Sequence, residues 1–353
     1  MSTKFNYLRT AGKSDLGLVR KQNEDAISMH PDQGWFCVAD GMGGEEAGDK
    51  ASAFTIEALG AAFDAFPLED GVDNLLTRKT LAGHAAIKAN AHIRDFVRKE
   101  GLGQSGSTLA LLVFDCVQPD KALVMHAGDS RVYRLRNRAL EQITVDHSVA
   151  QEAGVKDEND IPLMFRGMVT RALGIKPVVD LEYQTIDVKP DDLYLICSDG
   201  LSGMVSDQEI HLILGQKEVD TLDVLADQLI QAALDGGGKD NVSVVLIRVD
   251  HLPEQLDGTL RIINVPEDEE LISLKQAVAA SVGEPATDDP TDESTNRNRP
   301  LGDPTEQTDD FLPLTPSNDR PISVDRPASD STHNSAERMR EKLKTFFKPK
   351  SRD

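Results

Sequence analysis

Cysteine is scarce in this chain, with three in 353 residues, at positions 37, 116 and 197. Each lies in or beside an apolar run, where a free cysteine behaves as a small buried hydrophobe. An odd number at these spacings excludes a disulfide framework and a zinc pattern, and points to a reducing compartment. Aromatics make up 5% and hydrophobic residues 39% of the chain, too little for every segment to join a packed core. Positive charge is also short. Thirty-eight Lys and Arg face 60 Asp and Glu, a formal net charge of -22. That excludes a general nucleic-acid binder, which needs a basic surface. No run approaches the ~20 apolar residues of a membrane span, and residues 1–20 lack a secretory core. The expectation is a cytoplasmic, monomeric protein.

Carboxylates beside glycine, at the ends of strand-like runs, are what the chain does have. Phe36-Cys37-Val38-Ala39 leads into Asp40-Gly41, Leu193-Tyr194-Leu195-Ile196-Cys197 into Ser198-Asp199-Gly200, and Asp240-Asn241 precedes Val242–Ile247. Asn23-Glu24-Asp25 and Gly128-Asp129-Ser130-Arg131 add two further acidic elements. Any one Asp-Gly is most simply a turn. A turn does not call for Arg20, Glu24 and Asp25 upstream, nor for Asp129 and Asp240 downstream. Oxygen ligands converging from several strands make a site for hard divalent cations, Mg2+ or Mn2+. Asp40 is the central candidate, with Asp199 and Asp240 completing the shells and the Gly41 carbonyl adding a ligand. Two such ions acidify a bridging water and clamp an in-line displacement. Arg20 offers a planar fork for a phosphate monoester.

Strand-like runs cover residues 4–10, 25–29, 35–39, 107–115, 121–127, 131–136, 182–188, 192–198 and 242–249, with short loops that favour antiparallel pairing. Helical periodicity covers 45–64, 73–99, 207–214 and 221–234. Sheets covered by helices follow from that inventory. Asp146-His147-Ser148 cannot form a nucleophilic relay, because adjacent side chains do not converge and no nucleophile elbow exists. Asp146 and Ser148 instead suit the cap of a helix beginning near Val149.

Residues 1–250 thus read as a catalytic domain, and 251–280 as a short extension in which Leu271, Ile272, Leu274, Ala277 and Val278 fit an amphipathic helix. Residues 281–335 hold eight of the 17 prolines, with 12 acidic and four basic side chains. That composition predicts a disordered linker. Residues 336–353 turn basic, and Met339, Leu343, Phe346 and Phe347 recur at helical spacing. An amphipathic tail over 336–350 suits an anionic membrane surface or an acidic protein partner, and would place the protein peripherally at a membrane.

Taken in order, Leu16-Gly17-Leu18-Val19-Arg20-Lys21-Gln22-Asn23-Glu24-Asp25, Asp40-Gly41-Met42-Gly43-Gly44, Gly106-Ser107-Thr108, Gly128-Asp129-Ser130-Arg131, Asp146-His147-Ser148, Thr170-Arg171-Ala172-Leu173-Gly174, Ser198-Asp199-Gly200 and Asp240-Asn241 resemble the metal-dependent serine/threonine protein phosphatases of the type-2C family, in their bacterial branch. The resemblance covers residues 5–250. It implies an α+β fold, a four-layer α-β-β-α sandwich of two antiparallel sheets flanked by helices. It implies that Asp40, Gly41, Asp199 and Asp240 hold two catalytic metals, with Glu24 or Asp25 reached directly or through water, and that Asp129 helps hold a third. Arg20 maps to the phosphate-binding arginine, and no phosphoenzyme is expected. Phosphorylated proteins are the implied substrates, in opposition to a Ser/Thr kinase. Some members carry a histidine after the Asp-Gly as general acid; here it is Met42. The flap segment Pro162–Val169 is more apolar than usual. A non-catalytic phosphoprotein-binding module, or a scaffold acting through its tail, is the competing reading. The first would be favoured by loss of a metal aspartate, and none is lost.

Overall fold

A computed structural model describes residues 4–43, 47–66, 74–155, 161–162, 165–216, 221–253, 267 and 269–282. The expected linker begins at 281, but the helix Glu269–Val282 takes its first two residues; the rest of the linker and the basic tail lie outside the described residues. Residues Met1–Gly283 cluster as one unit.

The strands run β1 (Leu8–Asp15), β2 (Asp25–His30), β3 (Trp35–Met42), β4 (Gly106–Ser107), β5 (Leu109–Phe114), β6 (Lys121–Ala127), β7 (Arg131–Arg136), β8 (Ala139–Gln142), β9 (Glu182–Asp187), β10 (Leu193–Cys197) and β11 (Val242–Val249). One sheet has the order β1-β11-β10-β7-β8, and the other β2-β3-β5-β6-β9 with β4 paired to β3. Every pairing is antiparallel. Helices α1 (Gly48–Asp64) and α2 (Leu75–Glu100) cover the second sheet, and α5 (Asp207–Leu214) and α6 (Leu222–Asp235) the first. Short helices α3 (Val149–Glu152) and α4 (Asp199–Ser202) lie in connections, and α7 (Glu269–Val282) follows the sandwich. The architecture is the four-layer α-β-β-α sandwich.

The layering is written in the period of two along each central strand. In β3, Phe36 and Val38 face the core between the sheets, while Trp35 and Cys37 face α1 and α2. In β5, Ala110, Leu112 and Phe114 face inward and Leu109, Leu111 and Val113 face the helices. Strands covered on both faces must be apolar throughout, which is why these runs lack the polar alternation of a half-solvated sheet.

Three local expectations need correction. The first strand begins at Leu8 rather than residue 4, because its register is set by pairing Leu8 with Val249 through Asp15 with Val242. Phe5 and Tyr7 are buried, but in the turn that enters it. Strand β8, absent from the sequence reading, pairs with β7 across a turn in which Asn137 and Arg138 have φ of 50° and 63°. Its half-exposed Ala-Leu-Glu-Gln carries little apolar signal. Ser148 does cap α3, accepting from the Gln151 N–H at 3.3 Å, but Asp146 does not. It takes a three-bond grip from Arg131, at 2.9, 3.0 and 2.6 Å, a charge-assisted pair that outcompetes a cap.

Asp192, fully buried before β10, ties β7 to that turn. It accepts from Arg136 at 2.6 and 2.5 Å, from the Lys189 N–H at 2.8 Å and from the Tyr194 hydroxyl at 3.0 Å. Asp192→Ala would strand a guanidinium and two further donors, so a loss of about 3–5 kcal/mol is expected in urea unfolding. Asp192→Asn, which keeps acceptor capacity, should lose less.

Candidate active site

Asp25 on β2 and Asp40 on β3 stand directly opposite each other in the antiparallel register, so both side chains leave the same face of the sheet. Asp40 is pinned on its other side. Its N–H donates to Thr108 Oγ1 at 2.8 Å, and its carbonyl accepts from the Thr108 N–H at 2.8 Å. The Thr108 hydroxyl lies 2.7 Å from the Ser130 hydroxyl, which fastens Gly128-Asp129-Ser130-Arg131 to the same point. Gly128 sits at φ 116°, where a Cβ would come 2.6 Å from Thr108. The first sheet delivers Asp199 at the start of α4, after β10, and Asp240 just before β11. Ser198 donates to Asp25 Oδ2 at 2.7 Å across the two sheets.

Asn241 organises the approach, a role that sequence reasoning did not assign. Its Oδ1 accepts from the Glu24 N–H at 2.8 Å, and its Nδ2 donates to the carbonyls of Leu16 and Gln22 at 2.9 and 3.0 Å. One amide thus holds both ends of the loop that carries Arg20. Its place after Asp240 was the only signal. Arg20 donates to Asp240 Oδ2 at 2.7 Å, with Glu24 at 3.7 Å. The phosphate candidate is therefore anchored on one of the carboxylates.

Burial raises the pKa of Glu24, Asp25, Asp40, Asp129 and Asp199, and repulsion from neighbouring carboxylates adds to it. Asp40 is held well above the carboxylate range by burial, then by Asp25, Asp199 and Asp129, and its carboxyl is hydrogen-bonded with that of Asp199. Asp25 is lifted to about 7 by burial, against hydrogen bonds from Ser243 and Ser198, with Asp199 and Asp240 adding to the rise. Asp129 rises to about 8 through burial and then Asp199 and Asp146. Asp199 and Glu24 shift upward, burial again leading. The structure thus brings Glu24, Asp25, Asp40, Asp129, Asp199, Asp240 and Arg20 together, with the Gly41 backbone held by its N–H to the Glu24 carbonyl at 3.1 Å.

Buried oxygens Asp25 Oδ1 and Asp199 Oδ1 have no hydrogen-bond partner among the described residues. Orphan carboxylate oxygens in an all-oxygen cluster suit Mg2+ or Mn2+. These residues fit such ions.

His126, His147 and Glu182 form a different cluster, with ligand-type atoms within 4.8 Å of one another. Its hydrogen bonds argue against a metal. The Gly128 N–H donates to His147 Nδ1 at 3.2 Å, and His147 Nε2 faces Glu182 at 3.2 Å and the Arg171 guanidinium at 3.4 Å. His126 Nε2 donates to the Val145 carbonyl at 3.0 Å, and the rings stack 4.5 Å apart. The ring pair is held by its neighbours and supports the loop that carries Asp129, His147 also donating its backbone N–H to the Gly128 carbonyl at 3.0 Å.

A two-sheet sandwich with a carboxylate cluster at the sheet ends and an arginine beside it defines the class of metal-dependent phosphoester hydrolases. Residues 19–235 match the protein phosphatase 2C family, and the chain belongs to that family. Serine/threonine protein phosphatase PstP of Mycobacterium tuberculosis is 36% identical over 249 residues, 69% of this chain and 45% of that protein. The chain therefore spans about half the length of PstP. Serine/threonine phosphatase stp of Listeria monocytogenes is 32% identical over 67% of this chain and 94% of its own. Among solved structures, PppA of Pseudomonas aeruginosa superposes with a TM-score of 0.61 at 33% identity, covering 69% of this chain and 98% of that one. The PstP catalytic domain in complex with two manganese ions gives 0.57 at 36%, covering 68% and 97%.

The raised pKa values fix a sign. A carboxylate whose pKa is higher folded than unfolded supports the fold fully below about pH 4 and withdraws that support as pH rises through its folded value. For Asp25 and Asp129 the window runs from about 4 up to about 7 and 8. Metal-stripped protein should melt at progressively lower temperature from about pH 5 to about pH 8 and level off above it. Added Mn2+ should raise the melting temperature most at the upper end. Scanning calorimetry across pH checks both; a flat profile would remove the buried-repulsion account.

Proposed function

We propose that the chain is a protein serine/threonine phosphatase that hydrolyses phosphoserine and phosphothreonine with two Mg2+ or Mn2+ ions and no covalent phosphoenzyme. The observation that carries it is the convergence of Asp25, Asp40, Asp199 and Asp240 around orphan oxygens with Arg20 alongside. The manganese ions of the PstP catalytic domain support the metal assignment. The names of the bacterial relatives support the substrate class. Phosphorylated proteins, supplied by a Ser/Thr kinase, are the partners this reading requires.

Asp40, Asp199, Asp240 and the Gly41 carbonyl would hold the catalytic pair, with Asp25 and Glu24 behind them and Asp129 serving a peripheral ion. When bound, the ions acidify water and neutralise phosphate oxygens. Arg20 grips two equatorial oxygens of the ester and orients it for in-line attack. Hydrolysis leaves inorganic phosphate and the free serine or threonine hydroxyl. Met42 offers no proton, so the leaving oxygen takes its proton from water or from another side chain of the site. The cysteines do not supply a nucleophile. All three are buried, and burial pushes the Cys197 thiol up to about 12.

Asp40→Asn removes the charge of the central carboxylate. Turnover of a phosphothreonine peptide and the number of Mn2+ bound at equilibrium dialysis should fall together, turnover by at least a hundredfold. Activity that survives both EDTA and this substitution would sink the two-metal reading. Arg20→Ala should raise KM about tenfold and lower kcat less, because Arg20 meets the phosphate in ground and transition states alike. Steady-state kinetics on the same peptide separates the two; an unchanged KM with a collapsed kcat would reassign Arg20 to holding Asp240.

A further inference from the structure

The loop between β1 and β2 carries more than Arg20. It is fixed by hydrogen bonds along its length. The Gly17 N–H donates to Asp15 Oδ1 at 2.8 Å, and the Leu18 N–H donates to the Gly238 carbonyl at 2.7 Å. Asn241 holds the carbonyls of Leu16 and Gln22. The backbone is therefore seated against the Gly238–Asn241 turn, beside the carboxylates. Its aliphatic side chains remain mostly in water, although the Leu18 Cγ lies beside Gly238. Leu18 is 67% and Val19 65% exposed, and Leu16 adds 39%.

Single exposed aliphatics need no explanation. Two adjacent ones, each two-thirds in water, on a rigid loop one residue from the phosphate-gripping arginine, are a different matter. Rigidity removes the ordering cost that a mobile loop would meet on contact with a ligand. Position puts the pair next in sequence to the arginine that reaches Asp240 Oδ2 at 2.7 Å, within reach of residues that flank a phosphorylated side chain held by Arg20. The following Arg20 and Lys21 are exposed cations, so the loop offers an apolar step next to positive charge. Its complement is an apolar side chain next to a phosphate.

We propose that Leu18 and Val19 form a substrate ledge that selects protein substrates with an apolar residue flanking the phosphoserine or phosphothreonine. The inference rests on the phosphatase reading above and adds the substrate class within it. Selectivity from such a contact has a natural scale. Covering one to a few methylenes gives about 10-fold or more in kcat/KM.

The test uses the full chain, Mn2+ and three substrates. Two are phosphothreonine peptides identical except that the residues flanking the phosphothreonine are leucine in one and serine in the other. The third is a small aryl phosphate, too short to reach the ledge. The unsubstituted chain should favour the leucine peptide about tenfold in kcat/KM. Leu18→Ser/Val19→Ser should abolish that preference and leave aryl phosphate turnover within about twofold. Both positions are exposed, so the fold should tolerate the exchange, and an unchanged melting temperature checks it. Absence of preference in the unsubstituted chain, or its persistence in the variant, overturns the ledge while leaving the phosphatase reading intact. Equal losses on all three substrates overturn it too, because the loop would then act only by positioning Arg20. Loss of a dimer without change in selectivity would reassign the patch to self-association. No turnover of any substrate by the unsubstituted chain would fell the phosphatase reading and the ledge together.

Discussion

Repulsion among buried carboxylates is the constraint on which the rest of this structure turns. Two unit charges about 4 Å apart at an effective dielectric near 20 repel by about 4 kcal/mol. Asp25, Asp40, Asp199, Asp240 and Asp129 repel one another in several pairings. A domain has about 5–15 kcal/mol of net stability, so full ionisation without counter-charge would consume much of it. Protons meet the demand when pH is low, and divalent cations meet it when pH is high. Arg20, on Asp240, offsets only one part. The acid-loaded sheet ends therefore couple folding and cation binding by linkage.

Holding such a cluster in place requires a scaffold that draws its stability elsewhere. The inter-sheet core and the two sheet–helix cores are large and apolar. Acidic groups beside them are paired, as buried Asp192 with Arg136 and half-buried Asp146 with Arg131. Contacts around the cluster are mostly backbone and hydroxyl hydrogen bonds from Thr108, Ser130, Ser198 and Asn241. These neutral donors and acceptors fix geometry without neutralising the charge that a cation needs.

Much of this was legible in the residues. The central strands announce themselves because burial on both faces leaves no ambiguity of register, and β6, β7 and β11 fall on the sequence-based limits. Helices α5 and α6 follow their apolar stripe and their caps, Ser206 in a capping box and Thr221. What escaped was tertiary in origin. β8 has no apolar face to declare it. Asp146 looks like a cap until Arg131 is brought to it by β7. Asn241 is an ordinary asparagine until the fold sets three backbone groups around its amide. Helix α7 was ambiguous for the same reason. Its Leu271 is buried, and Glu270 meets His92 at 2.9 Å and Lys88 at 3.3 Å, all contacts with α2.

The glycines after the aspartates separate the two readings of Asp-Gly that the sequence left open. A turn glycine is selected for positive φ. Gly41 and Gly200 do not have it. Gly41 lies within strand β3 and Gly200 in the first turn of α4. Both are there for want of a Cβ. At Gly41 that atom would stand 2.0 Å from the Gly48 carbonyl oxygen, and at Gly200 1.9 Å from that of Asn241. Backbone oxygens cannot swing aside as a side chain can. An alanine at either place would push α1 from β3, or the Asp240-Asn241 turn from Asp199. Carboxylates on short aspartate side chains converge only if the strands that carry them converge first. The Asp-Gly pairing in this chain is thus a device for close approach. The glycine lets two backbones meet, and the aspartate beside it is thereby delivered to a common centre.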